Sequence, residues 1–491
     1  MQVNFTISMR KINIVCIIFL LVNFFACSRK DPAFNASDFP TEIHKILTKQ
    51  CATVGCHNEA SYRNAANLNL TSYENLLKGS SNGSVVIPFS PNQSSFMQFV
   101  NTYADLGLIT KPSMPLNQNE LSRYEVLLFK NWIANGCPNK QGDIPFSTES
   151  NTRSKAYITN QGCDKVSVID TKTGLVMRYI EVGNDAQIEI PHNIQLSSDG
   201  KYWYVCFANG AYVQKFDANT DKLIGQVNIG LGSWNVIHLN SSNTKALVSN
   251  LESNGKLVEI NLTTMSISRV FEGANLFSFP HGIAYSQTND TIYITAQNGN
   301  MVYRLIPTLN RLNKISLQQG VNPIESNGDL EPHEIVAIPN KSVFYVTCQK
   351  SNEVRRFEND TITAIIPVGS FPLEMAYSPK RNLLFVSCEN DNNTQYPNFK
   401  GSISVIDVNT NQVIRTIYEK FYQPHGLAVD DKNDVLYVAS RNVDANGPAP
   451  HHKSECNGSN GFYHIIDLNT WQTKVDGFEI SVDPYSVGVR K

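Results

Sequence analysis

Residues 191–207 read PHNIQLSSDGKYWYVCF, and the two short lines inside this stretch recur along the chain. The first, PHNIQL, opens with a proline and continues as an alternating strand. The second, YVCF, is a buried-strand pattern after a turn built on Ser197 to Lys201. The YVCF line returns as YITN (157–160), LVSN (247–250), YITA (293–296), YVTC (345–348), FVSC (385–388) and YVAS (437–440). The PHNIQL line returns as segments that begin at Trp234, Pro280, Pro332, Pro372, Pro424 and Pro484. The spacing is close to the roughly 40–45 residues of a four-stranded propeller blade. Insertions at 391–400 and 442–461 account for the longer intervals. Seven pairs of lines predict seven blades. Their order predicts how the ring closes. The array starts on YITN and ends on PYSVGV, so the last segment supplies the first strand of the first blade and leaves no free edge. An open array of β-sandwich units is the alternative.

The rest of the 491-residue chain has a different texture. Arg10 and Lys11 precede an apolar stretch of about fifteen residues, shorter than a bilayer requires and suited to a signal peptide. It ends at Cys27, in a context that resembles a bacterial lipobox. The chain is therefore expected to be an exported lipoprotein on the periplasmic or cell-surface side of a membrane, held by lipid on Cys27. Residues 1–26 are read as signal, 27–39 as tether, 40–140 as a helix-and-loop domain, 141–152 as linker and 153–491 as propeller. Two helices are expected in the N-terminal domain. One covers Thr41 to Gln50 and is opened by Pro40. The other covers Leu121 to Ala134, capped by Asn117 or Asn119 and stopped by Gly136. The net charge of −2 is spread without a basic block, which argues against nucleic acid as a partner.

The sharpest chemical motif is Cys51-Ala-Thr-Val-Gly-Cys56-His57. Two thiols beside a histidine suit covalent haem attachment, with His57 as an iron ligand. A disulfide between Cys51 and Cys56, or half of a zinc site, are the other readings. Residues 40–137 resemble the short planctomycete-type cytochrome c domains. The likeness runs through the helix leading into CATVGCHN, the segments LNLTSYENLLKG and SVVIPFSPNQSSF, Met114-Pro115 and NWIANG. It implies a small all-α domain carrying one haem c, bound through Cys51 and Cys56, with His57 and Met114 as axial ligands. Such an iron has no open position and moves electrons, so a redox partner protein is expected and electron transfer is favoured over substrate turnover. The chain thus reads as multidomain, an all-α haem domain followed by an all-β propeller.

In the propeller, His192, His281, His333 and His425 occupy one register of the PHNIQL line. Asn235, Leu373 and Tyr485 fill it in the other blades. Innermost strands begin at the channel mouth, so these positions form a ring there. Four imidazoles in such a ring suit copper or zinc. The alternative is structural, with proline setting the turn and histidine bonding a neighbouring blade. His451, His452 and Cys456 lie in the 442–461 insertion on the same face and are further metal candidates. Glu331, Glu334 and Glu374 flank ring positions. Cys348 and Cys388 are placed near the same rim, His238 is placed in packing or facing outward, and Cys137 is a candidate for pairing with a propeller cysteine. This half resembles the YVTN-type propellers, grouped with the propeller domains of nitrous oxide reductase and dissimilatory nitrite reductase. A competing function is a binding module whose propeller recognises a ligand or protein and has no redox chemistry of its own.

Overall fold

A computed structural model of the chain describes residues 38–147, 152–286 and 291–490. The signal segment, the lipidation candidate Cys27 and most of the tether lie outside the described residues, as do linker residues 148–151. Seven four-stranded antiparallel sheets make up a seven-bladed β-propeller. Each innermost strand starts where the recurring line starts: Pro191, Trp234, Pro280, Pro332, Pro372, Pro424 and Pro484. Blade 1 is composite. Its innermost strand, Pro484–Val489, comes from the C-terminal end and pairs with Lys155–Asn160, which leads into Lys165–Asp170 and Leu175–Glu181. The register sets Ala156 opposite Val489 and Ile158 opposite Val487. The three inner strands of blade 1 are buried over their whole length, because neighbouring blades cover both faces.

The recurring residues have identifiable jobs. The tyrosine that opens the YITN-type line reaches into the outer turn of the next blade. Tyr157 donates to Asp221, Tyr293 to Asp360 and Tyr345 to Asn411, at 2.7–2.9 Å. Each acceptor has a positive φ, a conformation that Asn and Asp adopt most readily among residues with a side chain. This is why the turns read ANTD and VNTN. Lys155, itself buried, adds an ion pair to Asp221 at 2.7 Å.

Blades 1 and 7 are also joined covalently. Cys163, in the first turn of blade 1, forms a disulfide with Cys456 in the long blade-7 insertion, 293 residues away. The scattered cysteines therefore contain one staple across the closing seam, and Cys456 is not available as a metal ligand. Among the described residues Cys137 pairs with no other cysteine, and it lies in the N-terminal core.

The expected separate all-α domain over residues 40–140 is corrected by the structure. Residues 38–147 contain four short α-helices: α1 (Thr41–Ile46), α2 (Tyr73–Leu77), α3 (Ser95–Val100) and α4 (Arg123–Ala134). Most of the remainder is loop and turn. Only α4 has a full capping box, from Ser122 and Glu125 rather than Asn117 or Asn119. The short helices cannot stand as an independent bundle. The lobe has a core of its own around Phe39, Leu47, Tyr73 and Phe129, but it is docked on the propeller rather than separate from it. Ile87 is packed into a cluster with Ile169, Val176 and Tyr463. Ser84 donates to the Val176 carbonyl at 2.9 Å, and the Glu479 N–H donates to the Asn82 carbonyl at 3.2 Å. The contact surface is thus made by blades 1 and 7, the two blades that the seam joins. Among the described residues no helix is long and apolar enough to cross a membrane.

The blade-7 insertion completes the docking. Gln98 exchanges hydrogen bonds with the Lys453 backbone at 2.5 and 3.0 Å. Gln93 donates to Glu455 at 2.7 Å, and Asn92 donates to the same carboxylate. Glu479 clamps the insertion from below. Its carboxylate accepts the backbone N–H groups of His451 and His452 and lies 2.8 Å from the His452 ring. Burial alone would raise the Glu479 pKa, but His452 and these N–H groups hold it below the usual carboxylate value.

Two predictions follow from the seam. The Cys163→Ser/Cys456→Ser double variant should fold but lose about 2–4 kcal/mol in urea unfolding under non-reducing conditions, the usual loss when a cross-link is removed. An unchanged midpoint would contradict a seam staple. A carboxylate lowered in the folded state adds stability above its unfolded value of 4.5, and that stability is lost as pH falls through the lower folded value. Hydrogen exchange over residues 449–456 should therefore be slow at neutral pH, faster in Glu479→Ala, and faster in the wild type only on acidification below 4.5. Equal exchange in both proteins at pH 7 would rule out the clamp.

Candidate functional site

Two sites emerge, one in the lobe and one in the channel. In the lobe, α1 runs into a widened turn over Leu47–Cys51, a one-turn π-helix. It places Cys51 against the lobe core, on the wall of a cleft. Gly55, at φ +85°, provides the left-handed residue that folds the chain back to Cys56. The His57 N–H bonds the Cys51 carbonyl at 3.1 Å, so the whole motif is one closed turn. Gln50 bonds Glu125 at 2.8 Å and fixes the motif to the start of α4.

Cys51, Cys56, His57 and Met114 all line one cleft, with about 1160 Å³ of empty space counting its open mouth. Its walls are mostly apolar, with Leu68, Val85, Phe96 and Val100 prominent. His57 Nδ1 lies 3.0 Å from the Leu68 carbonyl. The carbonyl can only accept, so Nδ1 carries the proton and Nε2 is left as the donor atom for a metal. Burial lowers the His57 pKa despite that bond, which favours the neutral, ligating form. The Cys51 and Cys56 thiols are not joined. Burial, then the charges of Cys56 and Glu125, push the Cys51 thiol up to about 12. Among the described residues no further His, Cys or carboxylate completes a metal set around this pair.

The cleft has a wall that the sequence reading missed. His451, expected from sequence on the face that carries the channel mouth, lines the lobe cleft and packs its ring 4.7 Å from that of Phe99. His452 turns the other way, onto Glu479. Neither residue takes part in the channel ring.

The channel ring itself forms as the register implied. His192, His281, His333 and His425 are all buried, at 7, 1, 3 and 1% exposure. Their aim has a backbone cause. In every blade the pairing of the two inner strands shifts register just after the ring residue's proline or its equivalent. Such a bulge turns a side chain out of the regular alternation. In six blades the residue before the proline has positive φ: Ile190, Phe279, Glu331, Phe371, Gln423 and Asp483, at +46 to +62°. Proline bars the right-handed helical conformation to its predecessor, and the left-handed one swings the chain into the channel. The backbone groups freed by the bulge are recovered by hydroxyls. Thr295 accepts the Gly282 N–H and donates to the His333 carbonyl of the next blade, both at 2.8 Å. Thr347 does the same between Glu334 and Leu373. The Thr or Ser in YITN, LVSN, YITA, YVTC and FVSC therefore belongs to the ring.

The rings fill the mouth. Centroids lie 5.9 Å apart for His192–His281, 4.2 Å for His281–His333 and 5.7 Å for His333–His425. Tyr485 bridges back, 3.7 Å from His425 and 4.4 Å from His192. Arg441 sits 4.8 Å over Tyr485 and is forked onto Asp483 at 2.7 and 3.0 Å. Burial first, then the positive charges of neighbouring groups, keep His333 and His425 well below the ordinary imidazole value. The four imidazoles do not face a common point. His192 Nε2 is 3.0 Å from the Asn235 amide, and His281 Nδ1 donates to the His333 carbonyl at 3.3 Å. Glu334 and Glu374 lie toward the channel interior and line its cavity, together with Asn193, Gln195, His238 and Ser486. His238 therefore faces the channel, stacked on Tyr285 at 5.4 Å. Glu331 instead pairs with Lys350 at 3.4 Å, and Cys348 and Cys388 are sealed in inter-blade cores.

Comparison with family models and with curated proteins finds no match. Among solved structures, the chain is similar to a functionally unknown protein from Desulfotomaculum acetoxidans. The identity is 13%, with a TM-score of 0.53 over 68% of this chain and 98% of that one. A hydrazine synthase structure from Kuenenia stuttgartiensis aligns at 16% identity over 59% and 79% of the two chains, with a TM-score of 0.45. What the first of these shares with the present chain is the fold, and at that identity nothing about chemistry carries over.

Proposed function

We propose that the chain is an exported electron carrier with one haem c in the lobe cleft. Cys51 and Cys56 would attach the porphyrin by thioethers, and His57 and Met114 would be the axial ligands. The observation that carries this reading is the convergence of these four residues on one apolar cleft, with His57 already oriented through Leu68. When bound, such an iron supplies reversible one-electron chemistry. The protein's part is to orient His57, to keep water from the porphyrin with Phe96, Val100 and Leu116, and to present the open mouth of the cleft to a redox partner. Export is supported by the seam disulfide, because such bonds persist in oxidising compartments. Anchoring through lipid on Cys27 belongs to the same reading, as does kinship with the YVTN-type propellers. The propeller as a ligand-binding module is a second reading, favoured by the polar cavity in its channel.

The test is expression of the full chain with haem-attachment machinery. The wild type should keep its chromophore through acid-acetone extraction, and Cys51→Ala/Cys56→Ala should release it. Met114→Ala should retain covalent haem but show a lower midpoint potential, since a thioether favours Fe(II). A colourless wild type, made in cells that mature another c-type cytochrome, would overturn the proposal.

A further inference from the structure

We propose that the channel mouth binds one divalent transition-metal ion through His333, Glu374 and His425. The three residues come from blades 5, 6 and 7 in succession. Leu373 holds the ring register in blade 6, and Glu374 follows it directly. One ligand atom from each of the three lies within 4.8 Å of the others. Among the described residues this is the only such group of His, Cys and carboxylate side chains. It narrows the ring of four histidines to two and adds a carboxylate.

The second observation is independent of that spacing. Nδ1 of His333 and Nδ1 of His425 are buried and have no hydrogen-bond partner. A buried polar atom without a partner costs about 1–3 kcal/mol, and an ion held between His333 and His425 would relieve that cost at both rings. Glu374 completes the argument. Its carboxylate is not paired with any lysine or arginine among the described residues; it lies beside Glu334 in the channel, and His333 Nδ1 is 4.0 Å away. That is too long for a hydrogen bond and suits two groups facing a third body between them. Arg441, the nearby guanidinium, is already committed to Asp483.

The donor set indicates the class of ion. Two imidazoles and one carboxylate suit Zn²⁺ or Cu²⁺, whereas Mg²⁺ and Ca²⁺ favour oxygen alone. With metal–ligand bonds of about 2.0–2.1 Å, tetrahedral ligand atoms lie roughly 3.4 Å apart, so the group must contract by up to about 1.4 Å. Glu374 is the least buried of the three and has a flexible side chain, so it takes most of that movement. Three protein ligands leave a coordination position for water. The channel cavity beside the site, lined by Glu334 and Glu374, gives a cation a polar approach.

The site is independent of the haem, and its test leaves that reading untouched. The full chain, stripped with a chelator and passed through a desalting column, is titrated separately with Zn²⁺ and Cu²⁺. Calorimetry and elemental analysis of the recovered protein read affinity and stoichiometry. The wild type should retain one ion per chain beyond any iron. Glu374→Gln keeps the side-chain shape, so it guards against misfolding. It and His425→Ala should each weaken binding by about 100-fold or more, as loss of a direct ligand from a three-residue set implies. His281→Ala, in the same ring but outside the set, should keep the ion. Failure of the wild type to retain either ion, or equal retention by Glu374→Gln, would overturn the proposal. So would loss in His281→Ala as large as in His425→Ala.

Discussion

The pairing of Pro484–Val489 with Lys155–Asn160 is the constraint on which the rest of the structure depends. A propeller is a sheet array bent until its ends meet, and each unpaired end would expose a row of backbone donors and acceptors. Here the two ends of the array are interleaved in one blade, so opening the ring means breaking the first blade itself. The seam is reinforced by the Cys163–Cys456 bond and by Arg441 on Asp483. It is also where the N-terminal lobe rests. The lobe touches blades 1 and 7 together, and its cleft takes His451 from the blade-7 insertion. A ring that failed to close would lose the surface on which the lobe sits.

The two sites are built by different physics. The lobe cleft is local: a widened helix turn, one left-handed glycine and a backbone carbonyl place two thiols and an imidazole within seven residues. The channel ring is a product of repetition. A left-handed residue, a proline and a bulge recur in blade after blade, and a hydroxyl from the second strand satisfies the backbone that the bulge exposes. Repetition sets the positions, and departures from it set the chemistry. Where a blade substitutes Asn235, Leu373 or Tyr485 for histidine, the ring becomes asymmetric, and the proposed ion site falls on blades 5 to 7.

Seven blades and the composite closure were legible in the sequence because each blade repeats the same buried-strand lines, and the order of the lines shows which strand is missing. The ring register was legible for the same reason. The seam disulfide was not, since nothing in the spacing of Cys163 and Cys456 brings residues 293 apart together. The place of His451 in the lobe cleft was not legible either, because an insertion's contacts depend on what docks against it, here Phe99 and Gln98. The lobe's helices were overestimated as a domain. Their apolar stripes are real, but they are short and several of their neighbours are loops that bury themselves on the propeller. The N-cap of α4 was set three to five residues too early because Asn117 and Asn119 resemble caps, and Asn117 even has Glu120 three residues on, while the box that forms is Ser122 with Glu125.

The functional account stands on the covalent state of the segment around His57. The most direct measurement is the mass spectrum of the peptide spanning Gln50 to Asn58, taken from protein purified from the cell that makes it. The account predicts a peptide heavier by one haem, with both Cys51 and Cys56 resistant to alkylation. A peptide of unmodified mass with two alkylatable thiols would contradict it.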